Sequence, residues 1–235
     1  MTSQTFHTIT LEQDARGVAR LTLNRPDKHN ALNGQLIEEL KQAADLLAAD
    51  SGVRVVVLSG EGKSFCAGGD FNWFKENAEA DRATRIRESS KLAQMLNALN
   101  GLPKPLIGRI QGPAYGGGVG MISVCDIAVG VDTARFGLTE VRLGLIPANI
   151  SPHVVARIGA ANARATMLSG TLFSAAKAEK IGLLNETASP DDLDARIDAI
   201  IADHLEAALG AVGETKRLIT YVAGHGIDDN MIYTA

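Results

Sequence analysis

Two glycine-rich turns constrain this chain more than any other feature of its sequence. The first reads Phe65-Cys-Ala-Gly-Gly-Asp70 and the second reads Tyr115-Gly-Gly-Gly-Val-Gly120. Each follows a predicted β-strand and precedes a predicted helix, where backbone N–H groups lack partners and glycine allows close approach to a ligand. Two such turns can direct two N–H groups at one point, which is the construction of an oxyanion hole. Either turn alone is equally well explained as a tight turn.

Glycine-rich turns also bind phosphate groups, and the sequence argues against the two common kinds. Neither turn contains Gly-x-x-x-x-Gly-Lys-Ser/Thr, so the lysine of a P-loop is missing. The second turn does not match Gly-x-Gly-x-x-Gly, which makes dinucleotide binding a poor second interpretation. The histidines have no metal-ligand spacing, and no Gly-x-Ser-x-Gly segment occurs. We therefore predict neither a metal site nor a serine nucleophile.

The composition is that of a single α/β domain. A chain of 235 residues with 46% hydrophobic and 21% charged residues can bury one substantial core. Its net charge of −4 gives no basic footprint for nucleic acid or an anionic membrane, and no apolar run is long enough to span a bilayer. Cys66 and Cys125 are too few for a disulfide framework, and the N-terminus does not resemble a signal peptide. We expect a cytoplasmic protein with no nucleic-acid or membrane partner.

Hydrophobic spacing predicts alternating strands and helices. Residues 6–13 and 18–24 alternate around a turn at 14–17 and predict a hairpin, and Asn33 is predicted to cap the helix that follows. Apolar runs predict strands, and helical spacing predicts helices, over the remaining chain. The strands are expected at 53–58, 105–110, 126–131 and 134–137, the helices at 82–97 and from Ser189-Pro190, and a mostly helical chain from residue 152 onward.

Four segments carry a resemblance to a known family. They are Leu23-Asn-Arg-Pro-Asp-Lys-His-Asn-Ala-Leu-Asn33, Phe65-Cys-Ala-Gly-Gly-Asp70, Gln111-Gly-Pro-Ala-Tyr-Gly-Gly-Gly-Val-Gly120 and Phe136-Gly-Leu-Thr-Glu-Val-Arg-Leu-Gly-Leu-Ile-Pro147. In this order and spacing they resemble the enoyl-CoA hydratase/isomerase, or crotonase, family over essentially the whole chain. The resemblance implies an α/β fold with a crotonase-like spiral of ββα units over residues 1–190, followed by C-terminal trimerisation helices in 191–235. It also implies an acyl-CoA substrate without a separate cofactor, and a homotrimer or a homohexamer of two trimers.

The same resemblance assigns the catalytic groups. The oxyanion-hole N–H groups would be those of Gly69 and Gly117, and Glu140 would be the general base and acid, with a pKa raised by desolvation. Many hydratases of the family carry a second glutamate at the position that Gly120 occupies here. The residues implied in CoA binding are Arg25, Lys28, His29, Ala31, Ala67, Asp70 and Phe71.

Some of the implied CoA-binding residues have competing interpretations. Lys28 would meet a phosphate, whereas solvated surface charge is the alternative for both Lys28 and Arg25. Asp70 is better explained as a residue that fixes its turn or caps the next helix. The C-terminal segment, residues 224–235, is shorter than is usual in the family, where further helices complete the trimer interface.

With one glutamate, three functions stay open: a hydratase, a Δ3-Δ2 enoyl-CoA isomerase and a non-catalytic acyl-CoA-binding protein. Glu140 and both glycine turns argue against the last. Segment 140–152 and Gly120 resemble bacterial methylglutaconyl-CoA hydratases of leucine degradation and isohexenylglutaconyl-CoA hydratases of terpenoid degradation. This similarity favours hydration of 3-methylglutaconyl-CoA or a related branched, acidic enoyl-CoA. Such a substrate has a carboxylate in its acyl chain, which requires a cation or a cluster of N–H donors. Arg142 is one candidate for that cation, and the alternative is that Arg142 faces outward.

Overall fold

A six-stranded sheet forms the centre of the computed structural model, which describes residues 5–224. The strands are β1 (Ile9–Gln13), β2 (Val18–Leu23), β3 (Val55–Gly60), β4 (Leu106–Ile110), β5 (Ala114–Tyr115), β6 (Ile127–Val131), β7 (Arg135–Gly137), β8 (Phe173–Ser174) and β9 (Glu186–Ala188). The helices are α1 (Gly34–Ala49), α2 (Phe71–Glu79), α3 (Arg82–Asn100), α4 (Gly117–Ser123), α5 (Ser151–Met167), α6 (Ala175–Lys180), α7 (Leu193–Leu205) and α8 (Leu209–Ala223). The large sheet has the strand order β1-β2-β3-β4-β6-β9.

The predicted hairpin is confirmed. β1 and β2 pair antiparallel with Ile9 opposite Leu23, and the connecting turn is closed by the Asp14 N–H, which donates to the Val18 carbonyl at 3.0 Å. From β2 onward every neighbouring pair in this sheet is parallel. All six residues of β3 are buried, as expected for an apolar strand that is covered on both faces.

A small second sheet, of order β5-β7-β8, positions the second glycine turn. β5 is parallel to β7, with Tyr115 opposite Gly137, and β7 is antiparallel to β8. The Gly116 N–H extends this pairing by donating to the Gly137 carbonyl at 2.9 Å. The turn at residues 116–117 is thereby held beside the segment that follows β7.

The helices are positioned by the caps and apolar faces that the sequence predicts. Asn33 caps α1, because its side-chain oxygen accepts a hydrogen bond from the Leu36 N–H at 2.9 Å. α1 packs against α3, and α7 packs against strands of the large sheet. The apolar face of α7 lies in the same core as the sheet and includes Leu193, Ile197, Ile200 and Ile201.

The chain after residue 152 is mostly helical, as predicted, and the short strands β8 and β9 between its helices each add an edge strand to one of the sheets. Two expected boundaries are wrong. The last predicted helix, α7, begins at Leu193 rather than at Ser189-Pro190, since the Asp192 N–H donates to the Ser189 carbonyl at 3.1 Å and forms a turn before the helix. The second glycine turn begins at Tyr115, the last residue of the short strand β5, and α4 begins inside its glycine run at Gly117.

Two helices, α7 and α8, follow residue 190 in the region predicted to be a C-terminal helical segment. Residues 225–235 of that segment lie outside the described residues. Within residues 5–224, no helix has the length and apolar character needed to cross a membrane. The same residues contain no cluster of three histidine, cysteine or acidic side chains arranged to hold a metal ion.

Candidate active site

The two glycine turns lie side by side. Cys66 and Ala114 form a parallel bridge, in which the Tyr115 N–H donates to the Cys66 carbonyl at 2.9 Å. Gly68 has a φ of +93°, and a Cβ placed on it would lie 3.1 Å from the Tyr115 carbonyl oxygen. Only glycine combines that backbone conformation with so close an approach of two chains.

The backbone pairing of Leu32 orients the Gly69 N–H. The Leu32 N–H donates to the Gly68 carbonyl at 2.7 Å, and the Leu32 carbonyl accepts from the Asp70 N–H at 2.8 Å. In a parallel bridge of this kind, the residue between the two bonded ones presents its own N–H to the opposite side. The Gly69 N–H accordingly donates to no other residue of the described range 5–224. A Cβ on Gly69 would lie 2.1 Å from the ring of Phe74, which covers this turn.

Gly117 supplies the second free N–H because it is the first residue of α4. The first N–H groups of a helix have no acceptor within the helix, and that of Gly117 finds none elsewhere in the part of the chain that the structure describes. The preceding Gly116 has φ +48° and ψ −114°, a conformation that side chains disfavour. A Cβ on Gly117 would lie 2.5 Å from Leu32 Cδ1, so Leu32 packs against both turns.

Glu140 lies against the second turn. It follows β7 by three residues and begins a short 3₁₀ turn over Glu140–Leu143. Its Oε1 would lie 3.0 Å from a Cβ on Gly116, which places the carboxylate beside the residue that precedes Gly117. Its Oε2 is buried and has no hydrogen-bond partner among the described residues. Burial raises the pKa of Glu140 above the usual carboxyl range, in the direction that the sequence predicts.

One cavity of about 390 Å³ brings these three groups together. Gly69, Gly117 and Glu140 all line it, and most of its remaining wall is apolar and comes from α2, α3 and residues 145–150. Of the described residues that line the cavity, Glu140 is the only carboxylate and Arg85 is the only arginine or lysine. Two free N–H groups, an acyl-sized apolar space and one desolvated carboxylate are the components needed to stabilise and protonate an enolate.

Gly120, where many family members carry a second glutamate, lies in α4 and is buried. A Cβ on Gly120 would lie 2.5 Å from Ile150 Cγ2, so the Ile150 side chain fills the space that a side chain at position 120 would need. Ile150 is 3% exposed and also lines the cavity. An apolar side chain therefore stands where the second carboxylate would begin.

Comparison with known proteins agrees with this geometry. The family model described as enoyl-CoA hydratase/isomerase matches residues 13–217. The chain belongs to the enoyl-CoA hydratase/isomerase family. It is 34% identical over 211 residues to the 2,3-dehydroadipyl-CoA hydratase of Escherichia coli, covering 88% of this chain and 80% of that protein.

Solved structures of the family share the whole fold. One is the crystal structure of an enoyl-CoA hydratase from Shewanella pealeana, whose sequence is 34% identical to this chain. The match covers 97% of this chain and 85% of that protein, with a TM-score of 0.94. The enoyl-CoA hydratase of Mycobacterium smegmatis is 31% identical and covers 97% and 88% of the two chains with a TM-score of 0.92. The predicted crotonase-like α/β fold is confirmed, and the chain is an enzyme of the enoyl-CoA hydratase type.

Arg25 and Asp70, both predicted to bind CoA, form an ion pair in this crotonase fold. Arg25 Nη2 lies 3.0 Å from Asp70 Oδ2, and the Arg25 guanidinium also donates to the Ala31 carbonyl. Asp70 caps α2 by accepting from the Asn72 N–H at 3.0 Å, as the sequence predicts. Burial alone would raise the pKa of Asp70, but the bonds from Arg25 and Asn72 bring the pKa below its usual range. Arg25 is therefore neither solvated nor free, and it ties residues 24–31 to the first turn.

The remaining predicted CoA-binding residues surround the same two segments, and none of them lines the cavity. Lys28 and His29 are exposed, and the His29 carbonyl accepts from the Ala67 N–H at 2.9 Å. Ala31 is 8% exposed, whereas Phe71, the first residue of α2, is 79% exposed. Their role in binding CoA stays a prediction.

The structure does not place Arg142 in the cavity. Its guanidinium donates to the Ser169 carbonyl at 3.1 Å and approaches Thr171 Oγ1 at 3.4 Å, so the expectation that it binds a substrate carboxylate is not supported. Arg85 of α3, which sequence reasoning did not single out, is the cation at this wall. No signal in the sequence distinguishes Arg85 from the other arginines of residues 82–87.

Sequence reasoning also missed Asn30, which organises the segment that Arg25 anchors. Asn30 is fully buried with φ +54°, and its Oδ1 accepts from the Arg25 N–H at 2.9 Å. Its Nδ2 donates to the carbonyls of Glu61 and Ser64, each at 2.9 Å. Asparagine adopts a positive φ more readily than most residues. An asparagine between His29 and Ala31 was therefore the sequence signal for a turn at this position.

Proposed function

We propose that this enzyme adds water to an α,β-unsaturated acyl-CoA, using Glu140 as its single acid-base group and the N–H groups of Gly69 and Gly117 as its oxyanion hole. The observation that carries the proposal is the shared cavity, which is lined by two residues whose N–H groups have no acceptor within residues 5–224 and by one partly desolvated carboxylate.

In this reaction the thioester carbonyl oxygen accepts hydrogen bonds from Gly69 and Gly117. Glu140 removes a proton from water as the water oxygen bonds to C3, and the electron pair of the double bond moves through C2 to form an enolate. Because the negative charge collects on the carbonyl oxygen, both N–H groups bind the transition state better than the substrate. Each donor is worth about 3 kcal/mol in comparable sites. Glu140 then returns the proton to C2, which leaves the carboxylate as it began.

The surroundings of Glu140 suit both halves of this cycle. A raised pKa of Glu140 lies closer to the pH at which the enzyme operates. At a pH near its pKa, a carboxyl group accepts and returns a proton with similar ease. No second carboxylate lines the cavity in the described residues, so Glu140 would perform both transfers. The mechanism requires no cofactor beyond the CoA that the substrate carries.

For the acyl group, we propose a branched chain that ends in a carboxylate, with 3-methylglutaconyl-CoA as the first candidate. Support comes from the resemblance of segment 140–152 and Gly120 to methylglutaconyl-CoA hydratases. The E. coli relative is named for 2,3-dehydroadipyl-CoA, whose acyl chain also ends in a carboxylate. Arg85 gives the cavity a cation that such a chain needs.

A Δ3-Δ2 enoyl-CoA isomerase is the second candidate. It would form a dienolate by removing a proton from C2 of a 3-enoyl thioester, with the negative charge on the same carbonyl oxygen, and would complete the reaction by returning the proton to C4. One carboxylate suffices for that exchange, and the cavity has one among its described residues. Absorbance separates the two reactions, because hydration consumes the conjugated enoyl thioester and isomerisation creates it.

The decisive experiment offers 3-methylglutaconyl-CoA, crotonyl-CoA and a 3-enoyl-CoA to the wild type, Glu140→Gln and Glu38→Gln. Glu38 is an exposed carboxylate on α1 and serves as the control. We expect the conjugated band to disappear with the wild type and Glu38→Gln, fastest with 3-methylglutaconyl-CoA, and about 10²–10⁴ times more slowly with Glu140→Gln. Absorbance gained only from the 3-enoyl-CoA would identify an isomerase, and no change with any substrate would support an acyl-CoA-binding protein.

We further propose that the protein is cytoplasmic and forms a homotrimer or a hexamer of two trimers. CoA is proposed to bind along residues 24–31 and the first glycine turn. Exposed apolar side chains on α8, namely Leu218, Ile219, Tyr221 and Val222, support an assembly that covers this helix. Two buried free thiols are consistent with a reducing compartment. Light scattering on the purified protein measures the assembly, and a monomeric mass would contradict it.

A further inference from the structure

Among the described residues, the lining of the acyl cavity includes one cation that has no partner within residues 5–224. Arg85 lies on α3, and its guanidinium forms no hydrogen bond or ion pair with another residue of 5–224. Its neighbour Arg87 differs, since Arg87 Nη2 donates to Thr84 Oγ1 at 3.2 Å and Arg87 Nε lies 3.7 Å from Glu88 Oε1. Arg87 also lies outside the cavity lining. An arginine whose donors are all free at the wall of a substrate cavity is available to a ligand.

The cavity is chemically different at its Arg85 end. There it adjoins a second hollow of about 530 Å³, and the two share Arg85, Ser89 and Asn149. Asn149 Nδ2 donates to Ser89 Oγ at 2.9 Å, which forms a polar border between them. The second hollow contains Arg82 and no acidic residue among the described ones that line it. The surroundings of Arg85 therefore offer hydrogen-bond donors and positive charge, and the rest of the wall is mainly apolar.

We propose that Arg85 is the specificity-determining residue that binds the carboxylate at the end of the acyl chain. This inference rests on the proposed function, which places the thioester at Gly69 and Gly117 and the acyl chain in the cavity. A guanidinium binds a carboxylate through two parallel N–H···O bonds, and Arg85, which is solvent-exposed, has no partner among residues 5–224 that would compete for its donors. A neutral acyl chain leaves Arg85 in place and receives no such bonds.

The test measures binding and does not depend on turnover. Isothermal titration compares glutaryl-CoA with butyryl-CoA, two saturated thioesters whose acyl chains differ mainly in the terminal carboxylate. The proteins are the wild type, Arg85→Gln, Arg85→Lys and Arg87→Gln as the matched control on the same helix. Because Arg85 is exposed, we expect glutaryl-CoA to bind the wild type about fivefold more tightly than butyryl-CoA.

Arg85→Gln should reduce this preference to about twofold or less without weakening butyryl-CoA, and Arg87→Gln should keep it. Arg85→Lys should retain part of it, because lysine keeps the charge but loses the planar fork. Three results would overturn the proposal: no preference in the wild type, a preference that survives Arg85→Gln, or an equal loss of both ligands.

A parallel absorbance assay separates this inference from the proposed function. If the wild type hydrates no enoyl-CoA while Arg85→Gln still abolishes the preference for glutaryl-CoA, the inference stands and the hydratase proposal fails. If the wild type hydrates 3-methylglutaconyl-CoA and Arg85→Gln leaves its kcat/KM relative to crotonyl-CoA unchanged, the hydratase proposal stands and the role of Arg85 is refuted.

Discussion

Replacing Gly120 by alanine tests whether Ile150 fills the place of the missing carboxylate. The added Cβ would lie 2.5 Å from Ile150 Cγ2 and 2.9 Å from Ile150 Cβ, whereas ordinary contacts begin near 3.4 Å. Leu96 Cδ1, at 3.8 Å from the same point, and the burial of both Gly120 and Ile150 leave little room for either side to move away. Relief of an overlap of this size requires a shift of the core.

The expected size of the effect follows from two opposing terms. Overpacking of a buried site destabilises by about 1–3 kcal/mol. Alanine is favoured over glycine inside a helix by about 1 kcal/mol, and Gly120 lies within α4. We therefore expect Gly120→Ala to lower the free energy of unfolding by up to about 2 kcal/mol. For a chain of this length that corresponds to a fall in Tm of up to about 8 °C.

A double-mutant cycle assigns the effect to Ile150. Ile150→Ala alone should destabilise by about 2–5 kcal/mol, but it removes the closest contact to position 120. In that background Gly120→Ala should no longer destabilise, which gives a coupling free energy of about 1–3 kcal/mol. Urea unfolding followed by circular dichroism measures all four proteins. Gly210→Ala is the control, because a Cβ at Gly210 meets nothing within 4 Å among the described residues apart from its chain neighbours and the backbone of its own helix. Equal effects of Gly120→Ala in both backgrounds would refute the reasoning.

Two pH-dependent predictions follow from the shifted pKa values of Glu140 and Glu39. Burial raises the pKa of Glu140, and Glu140 acts as a base only when it is deprotonated. In stopped-flow assays log kcat/KM should therefore rise with pH at unit slope, with a midpoint above 4.5, the ordinary pKa of a glutamate. A midpoint at or below 4.5 would contradict this prediction. Burial opposes ionisation of Glu39, but bonds from the Thr8 side chain, the Thr8 N–H and the His7 N–H lower its pKa. Its stabilising contribution is thus present above the unfolded-state pKa and is lost as the pH falls through the lowered value. Glu39→Gln should destabilise by about 2 kcal/mol at pH 7 and by less in acid, and urea midpoints that differ equally at both pH values would disprove it.

The sequence predicts those elements whose signals are local. The hairpin before Asn24 and the cap at Asn33 depend on neighbouring residues, and both are confirmed. β8 and β9 have two and three residues, too few for a periodic pattern, and they form only because a distant strand supplies their partners. The start of α7 was misplaced because the turn from Ser189 to Asp192 uses the same capping residues as a helix start.

Within the site, the glycine turns and Glu140 were visible in the sequence because backbone geometry and one motif determine them. Their convergence was not, since it depends on Leu32 pairing with Gly68 and Asp70 and on β5 pairing with β7. The choice of cation was also outside the reach of the sequence. The sequence contains no signal that distinguishes the roles of Arg142 and Arg85. Only the packed structure shows that Arg142 donates to the Ser169 carbonyl and that Arg85 lines the cavity.

By itself, the sequence determined the chemistry that this chain has available: two turns able to present free N–H groups, one glutamate, and glycine at the position of a second. The tertiary structure decided how that chemistry is used. It filled the space beside Gly120 with Ile150, and within residues 5–224 it left the Oε2 of the partly buried Glu140 without a hydrogen-bond partner and Arg85 unpaired at the cavity wall. The physical reason is that residue types and turn conformations are local properties, whereas desolvation, overlap and charge pairing depend on which distant segments pack together.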